Sequence, residues 1–240
     1  MIFGVDSLTP STSNMADGTV FYDYVNSCTV QDPLAPLAFW GRYIGKANGI
    51  TAAEGAQLHT WGLRILVIYN ATLNSPNSVQ GGVPEGQNDA QIALQAAKAL
   101  GIPTGVAIFA DVENTWAVTS DWITGWATTI AADPSGYVPG FYCNSNKANS
   151  VFAASYCTAV AAAVFPAFPN TLLYSCNPAN QGAANFYRPG AVSPTATDCQ
   201  TPTLWQYALS CYQPSLNPKT DPNFTVDLDC ADDSLLAVMW

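Results

Sequence analysis

The stretch Gly105-Val-Ala-Ile-Phe-Ala-Asp-Val-Glu113 constrains the fold more than any other part of the chain. It is apolar and partly β-branched, follows a Gly-Ile-Pro turn, and ends in two carboxylates. That pattern is a central strand. Side chains on a strand alternate, so Asp111 and Glu113 point to the same side. Two acids on one face at the end of a buried strand are costly unless that face is wet. Helical patterns lie before and after this strand, as in a β/α fold, where the carboxyl ends of the strands hold the site.

The rest of the chain extends the pattern. Ile2 to Asp6 reads as a first strand that also ends in an acid, and residues 7 to 32 as a long polar loop. Residues 33 to 39 read as a short helix before a second strand, Phe39 to Gly45. Thr51-Ala-Ala-Glu54 is a capping box, which starts a helix running to about Trp61. Leu63 to Tyr69 is nearly all apolar, as expected where helices cover a parallel sheet. Helices are predicted over residues 86–100, 120–132 and 149–165, the last stopped by Pro166. Strands are predicted at residues 137–143, 172–175, 204–208 and 225–229, with irregular chain over 177–202 and a loop over 212–223. No helical pattern separates the last three strands. Five β/α units followed by three bare strands make eight, enough to close an atypical TIM-like α/β barrel. No stretch has linker composition, so residues 1–240 are expected to form one domain.

Composition narrows the partners. With 49% hydrophobic and 10% charged residues the chain can build a large core. Its net charge of −10 disfavours nucleic acid and anionic lipid, which need a basic face. There are seven cysteines, six of them after residue 140, with no C-x-x-C pair and a single histidine, His59. That composition is poor for structural zinc and fits disulfides in an oxidising compartment. At least two bonds are expected, most simply including Cys199 with Cys211. The reading is therefore a secreted or cell-envelope monomer. No apolar run approaches the ~18 residues of a membrane span. The opening residues Met1 to Asp6 lack the basic region of a leader peptide. Asn70-Ala-Thr72 and Asn223-Phe-Thr225 are glycosylation sequons.

Asp6, Asp111, Glu113 and Asp227 or Asp229 fall at the predicted ends of strands one, four and eight. In a closed barrel the first and last of these strands are neighbours, and the fourth faces them across the mouth. Such a ring suits glycoside hydrolysis, in which one acid protonates the leaving oxygen and a carboxylate activates water or stabilises the cationic transition state. Crowded like charges raise at least one pKa and keep a proton available. Tyr43, Tyr69, Tyr142, Tyr174, Trp205 and Tyr207 are candidates for stacking on sugar rings or orienting carboxyl groups. Arg42 either pairs with an acid such as Asp6 or binds a ligand carboxylate. Asp89 reads as a helix first-turn acid, and His59 as helix packing or surface. An acid-only cation cluster near Asp227, Asp229, Asp232 and Asp233 matches no recognised loop spacing.

Several of these pieces resemble one family. Gly4-Val-Asp6, Gly41-Arg-Tyr-Ile-Gly45, Gly86-Gln-Asn-Asp-Ala90, Phe109-Ala-Asp-Val-Glu113, Leu204-Trp-Gln-Tyr207 and Val226-Asp-Leu-Asp229 occur in order over nearly the whole chain. Together they look like the DUF1906 glycoside-hydrolase-like domain, which is related to the family 25 lysozymes. The resemblance implies a barrel of five β/α units plus three strands. It matches Glu113 to the general acid, Asp111 to the first acid of the Asp-x-Glu, Asp6 to the first-strand acid, and Asp227, or else Asp229, to the fourth. It implies an amino-sugar polymer as substrate, peptidoglycan first, and no metal or organic cofactor. Its alternatives are a secreted carbohydrate-binding barrel without turnover and a cell-envelope interaction protein. The long loop at 7–32 and the stretch 177–202 depart from the lysozyme pattern.

Overall fold

The computed structural model describes residues 1–31, 36–148, 150–162, 168–181, 186–212 and 224–240. Eight strands close a barrel in chain order: β1 (Ile2–Asp6), β2 (Phe39–Ile44), β3 (Arg64–Tyr69), β4 (Ala107–Asp111), β5 (Val138–Cys143), β6 (Leu172–Gln181), β7 (Leu204–Cys211) and β8 (Val226–Ala231). Five helices alternate with the early strands: α1 (Phe21–Gln31), α2 (Ala52–Thr60), α3 (Val83–Ala99), α4 (Ser120–Ala132) and α5 (Val151–Ala162). Among the described residues no helix lies between β6, β7 and β8. The atypical TIM-like barrel is as expected. Among the described residues no helix is long and apolar enough to cross a membrane.

Neighbours from β1 to β7 pair in parallel, but β8 runs antiparallel to both β7 and β1. The register sets Asp6 opposite Asp227 and Gly4 opposite Asp229. The chain thus enters β8 at the mouth and descends, so Asp229 lies one inward step deeper than Asp227. The sequence pattern puts Asp227 or Asp229 at a strand end, and the register gives that place to Asp227.

Alternation sorts each strand into two faces. Phe39, Leu66, Ile68, Phe109, Tyr174 and Leu204 fill the lumen. Room for the Phe39 and Phe109 rings comes from glycines: a Cβ on Gly4 or Gly140 would stand 2.4 or 2.5 Å from them. Outward residues such as Trp40, Val67, Tyr69 and Phe141 pack under the helices. A 3₁₀ turn, Asp233–Val238, together with Met239 closes the far end, where Leu235 and Met239 join the lumen core.

Several expectations are corrected. Residues 21–31 are helix, not loop: Phe21, Tyr24, Val25 and Cys28 are buried at helical spacing. The predicted helix at 33–39 falls partly outside the described residues, and 36–38 are not helical. Helix α3 begins at Val83, which moves Asp89 into its second turn; there it is buried and accepts from Ser78 Oγ (2.6 Å) and Trp122 Nε1 (2.9 Å). Strand β6 continues to Gln181 through a bulge, into the stretch expected to be irregular. Asn149, Phe165, Pro166, Asn223 and the expected loop from 213 onward lie outside the described residues.

The disulfide is Cys157–Cys199, and Cys28, Cys143, Cys176, Cys211 and Cys230 are free thiols. Neither the expected Cys199–Cys211 pair nor a second bond forms. Tyr156 on α5 hydrogen-bonds Gln200, and Gln200 Nε2 donates to Thr171 O at 2.8 Å. The turn at 197–200 is thereby held on α5, which presents Cys199 to Cys157. Thiol titration in denaturant without reductant is expected to return five thiols; three or fewer would contradict this pairing.

Candidate active site

The mouth of the barrel holds a pocket of about 360 Å³ lined by Asp6, Ser7, Leu8, Thr9, Tyr43, Ile68, Asn70, Asp111, Glu113, Tyr142, Ser210, Thr225 and Asp227. Four carboxyl groups therefore meet there: Asp6, Asp111 and Asp227 face inward by strand parity, as do Tyr43 and Tyr142, and Glu113 joins them from the segment just past the end of β4.

Asp6 is the most heavily bonded of the four. Its Oδ1 accepts from the Tyr43 hydroxyl (2.8 Å), and its Oδ2 from the Tyr174 hydroxyl (2.8 Å) and Gln206 Nε2 (2.7 Å). Gln206 also donates to Asp227 Oδ2 (3.2 Å) and accepts from the Tyr142 hydroxyl (2.9 Å). Asp227 takes a second bond from Ser210 N (2.7 Å). Ser210 holds the left-handed backbone conformation, φ 53°, beside a register shift in β7, so the strand is bent to aim that N–H at the carboxyl.

Asp111, the last residue of β4, is 4% exposed, whereas Glu113, two residues past the strand end, stands exposed at the rim. The Asn70 amide donates to Asp111 Oδ2 and the Thr72 hydroxyl to its backbone carbonyl; Oδ1 has no hydrogen-bond partner. These are the two polar residues of the Asn70-Ala-Thr72 sequon. A glycan on Asn70 would occupy the pocket and break its bond to Asp111.

Burial pushes the Asp111 carboxyl up to about 7, with the charge of Glu113 adding to it. Burial and then the charge of Asp6 raise Asp227 to about 8. The same two causes raise Glu113, and Lys46 draws both Asp111 and Glu113 back down. Tyr43 and Tyr142 are raised chiefly by burial, so their phenols stay protonated donors.

These shifts predict a pH dependence of stability. Both aspartates rise from 3.8 on folding. Between about pH 4 and about pH 8 the folded chain then binds more protons than the unfolded one, so stability falls as pH rises through that window. Thermal unfolding midpoints should decline across it, and less steeply in Asp111→Asn and Asp227→Asn. A flat wild-type profile would contradict the shifts.

Other candidates lie elsewhere. Arg42 neighbours Tyr43 on β2 and so faces outward; it is fully buried and pairs with an acid, one of its two expected roles, but that acid is Glu54, Nε to Oε1 at 2.8 Å, and not Asp6. Tyr69 faces outward and stacks on Trp126 at 5.5 Å. Trp205 and Tyr207 also face outward, donating to Asn177 O (2.8 Å) and Tyr187 O (2.7 Å). Tyr174 and Asp229 face inward but are fully buried beneath the pocket. Asp233 pairs with the N-terminal amine at the far end, so the acids 227–233 do not gather. Among the described residues no three His, Cys, Asp or Glu side chains group to hold a metal. His59 bonds Leu63 O through Nδ1 (3.1 Å) and packs on Trp240. Asn70, Gln206, Ser210 and Lys46 were not anticipated. Gln206 had a signal, being the polar inward residue between two outward aromatics.

A family model described as Rv2525c-like, glycoside hydrolase-like domain matches residues 34–213. The chain belongs to this family. Solved structures show the same architecture. An uncharacterized B. stearothermophilus protein, determined at 1.07 Å, is 29% identical with a TM-score of 0.74, each chain covered in full (100%). The Tat-secreted protein Rv2525c of Mycobacterium tuberculosis, in complex with L-tartrate, is 15% identical with a TM-score of 0.56, over 96% of this chain and 95% of that one. No curated protein sequence matches the chain.

Proposed function

We propose that this barrel is a glycosidase that cleaves an amino-sugar polymer, with peptidoglycan as the first substrate to test, outside the cell or in its envelope. The observation that carries this reading is the convergence of Asp6, Asp111, Glu113 and Asp227 on one pocket, with Asp111 raised to about 7, Asp227 to about 8, and Glu113 above its ordinary value. A site that must give a proton and also stabilise positive charge needs carboxyl groups in both protonation states.

Glu113 is assigned as the general acid, since it stands at the rim where a glycosidic oxygen would lie. Asp6, held by three donors, serves as the ionised group facing the developing positive charge. Asp111 orients and tunes Glu113 from below, and Asp227 completes the ring. Tyr43, Tyr142 and the exposed Leu8 offer flat or apolar surface to a sugar face.

A second reading, a glycan-binding barrel without turnover, is favoured by how fully the protein's own donors occupy Asp6. The deciding experiment exposes the purified protein to peptidoglycan, chitin and galactosaminan polymers and reads product masses. Cleavage of one polymer supports the enzyme; retention of a polymer with no new product on any supports the binding barrel.

A further inference from the structure

Tyr174 lies wholly buried beneath the pocket on β6. Its hydroxyl oxygen is 2.8 Å from Asp6 Oδ2 and 2.7 Å from Asp229 Oδ1. A phenol has one proton to donate. It cannot serve both carboxyl groups at once, so one of the two contacts requires a proton from the carboxyl side.

The surroundings decide which. Asp6 faces three donors, from Tyr43, Tyr174 and Gln206, which is the environment of an ionised carboxylate. Asp229 is 0% exposed, and its Oδ2 has no hydrogen-bond partner. The charges acting on it most strongly are Asp6 on β1 and Asp227 on its own strand, both of like sign. The other titratable groups near it are Tyr174 on β6, Tyr207 and Cys211 on β7, and Cys230 on β8, all neutral in their protonated forms. A buried carboxylate with one donor and an orphan oxygen is much costlier than a buried carboxylic acid.

We propose that Asp229 is a proton-bearing positioning residue: its O–H donates to the Tyr174 oxygen, Tyr174 donates to Asp6 Oδ2, and Asp6 is thereby held ionised on the pocket floor. The chain of hydrogen bonds then has one direction, from core to pocket. Asp229 lies outside the pocket lining and acts through Tyr174 and its contact with Asp6. The arrangement holds whether the pocket cleaves a glycan or only binds one, so its test needs no substrate.

The test is carbon-13 NMR of the full chain labelled at the aspartate carboxyls. At about pH 9 Asp111 and Asp227 are largely ionised. One aspartate signal is expected to remain in the protonated range there, to persist in Asp227→Asn, and to vanish in Asp229→Asn. Asparagine can donate to the Tyr174 oxygen in place of the acid, so this variant should keep the wild-type titration of Glu113. Should Asp229→Asn fail to fold, Tyr174→Phe decides, because the acid loses its acceptor and its signal must shift. No protonated aspartate at that pH, a signal that survives Asp229→Asn, or one unmoved by Tyr174→Phe overturns the proposal.

Discussion

Glu113→Gln is expected to fold, to keep its affinity for the polymer and to lose about 10²–10⁴ in turnover, the usual worth of a positioned acid. Glutamine preserves the shape and the hydrogen-bonding reach of the side chain but has no proton to give. The wild-type rate should fall as pH rises through the Glu113 value, because the acid must be protonated to act. That value lies above 4.5, raised first by the pocket walls that strip water from the inner side of the carboxyl, although the residue's outer side is exposed, and second by the charge of Asp6. Exposure at the rim lets water screen part of the repulsion, so the alkaline limb should shift with ionic strength. Asp111→Asn removes the like charge beneath the rim but keeps a partner for Asn70. It should lower turnover and leave the fold in place; loss of the fold would assign Asp111 to structure alone. The measurement is the pH–rate profile of wild type beside Glu113→Gln on the polymer that is cleaved. Full turnover of Glu113→Gln across that profile would remove Glu113 from the role of acid.

The split between what the sequence disclosed and what it hid follows from which interactions are local. The β4 strand was legible because a both-faces-apolar run is rare and its acids share a parity. The same parity rule, applied to Arg42 beside Tyr43 and to Trp205-Gln206-Tyr207, sorts inward from outward residues. It places Arg42 away from the pocket and Gln206 toward it. Helix α1 was hidden by its Tyr, Asn, Ser, Cys and Thr, all middling helix formers, although Phe21, Tyr24, Val25 and Cys28 carry the spacing of a buried face. Its stability comes from packing against the barrel, as the Phe21 ring against Trp40 at 5.6 Å illustrates.

Long-range facts left no local trace. The direction of β8 sets Asp227 at the mouth and Asp229 in the core, yet Val-Asp-Leu-Asp reads the same either way. The partner of Cys199 depends on how the 197–200 turn docks onto α5, and nothing in cysteine spacing reports that. The capping box at Thr51 was only half right for a related reason. Thr51 does accept from Glu54 N at 3.1 Å, but the Glu54 carboxylate turns away from the helix end toward Arg42.

That pair carries the largest expected loss of stability. Arg42 and Glu54 are both buried, and the fork is double: Nε to Oε1 at 2.8 Å and Nη2 to Oε2 at 3.2 Å. Arg42 Nη1 also donates to Ser7 O (2.6 Å) and Leu8 O (3.1 Å), while Glu54 Oε1 accepts from Ser11 N (2.8 Å) and Ser11 Oγ (3.0 Å). The ion pair therefore ties the loop after β1 to β2 and α2, and that loop supplies Ser7, Leu8 and Thr9 to the pocket wall. Arg42→Met removes the cation and leaves a buried carboxylate without a counter-ion, which typically costs about 3–5 kcal/mol. Lysine is a poor substitute, because one ammonium cannot reproduce the planar fork. Replacing both partners, Arg42→Met with Glu54→Leu, removes the stranded charge and should recover much of the loss. It leaves the carbonyls of Ser7 and Leu8 without their donor, so recovery should be incomplete and ligand affinity should stay reduced. Urea unfolding of the two single variants and the double variant closes the cycle. Arg42→Met within about 0.5 kcal/mol of wild type, the range of ordinary surface changes, would mean that the pair holds neither the barrel nor its mouth.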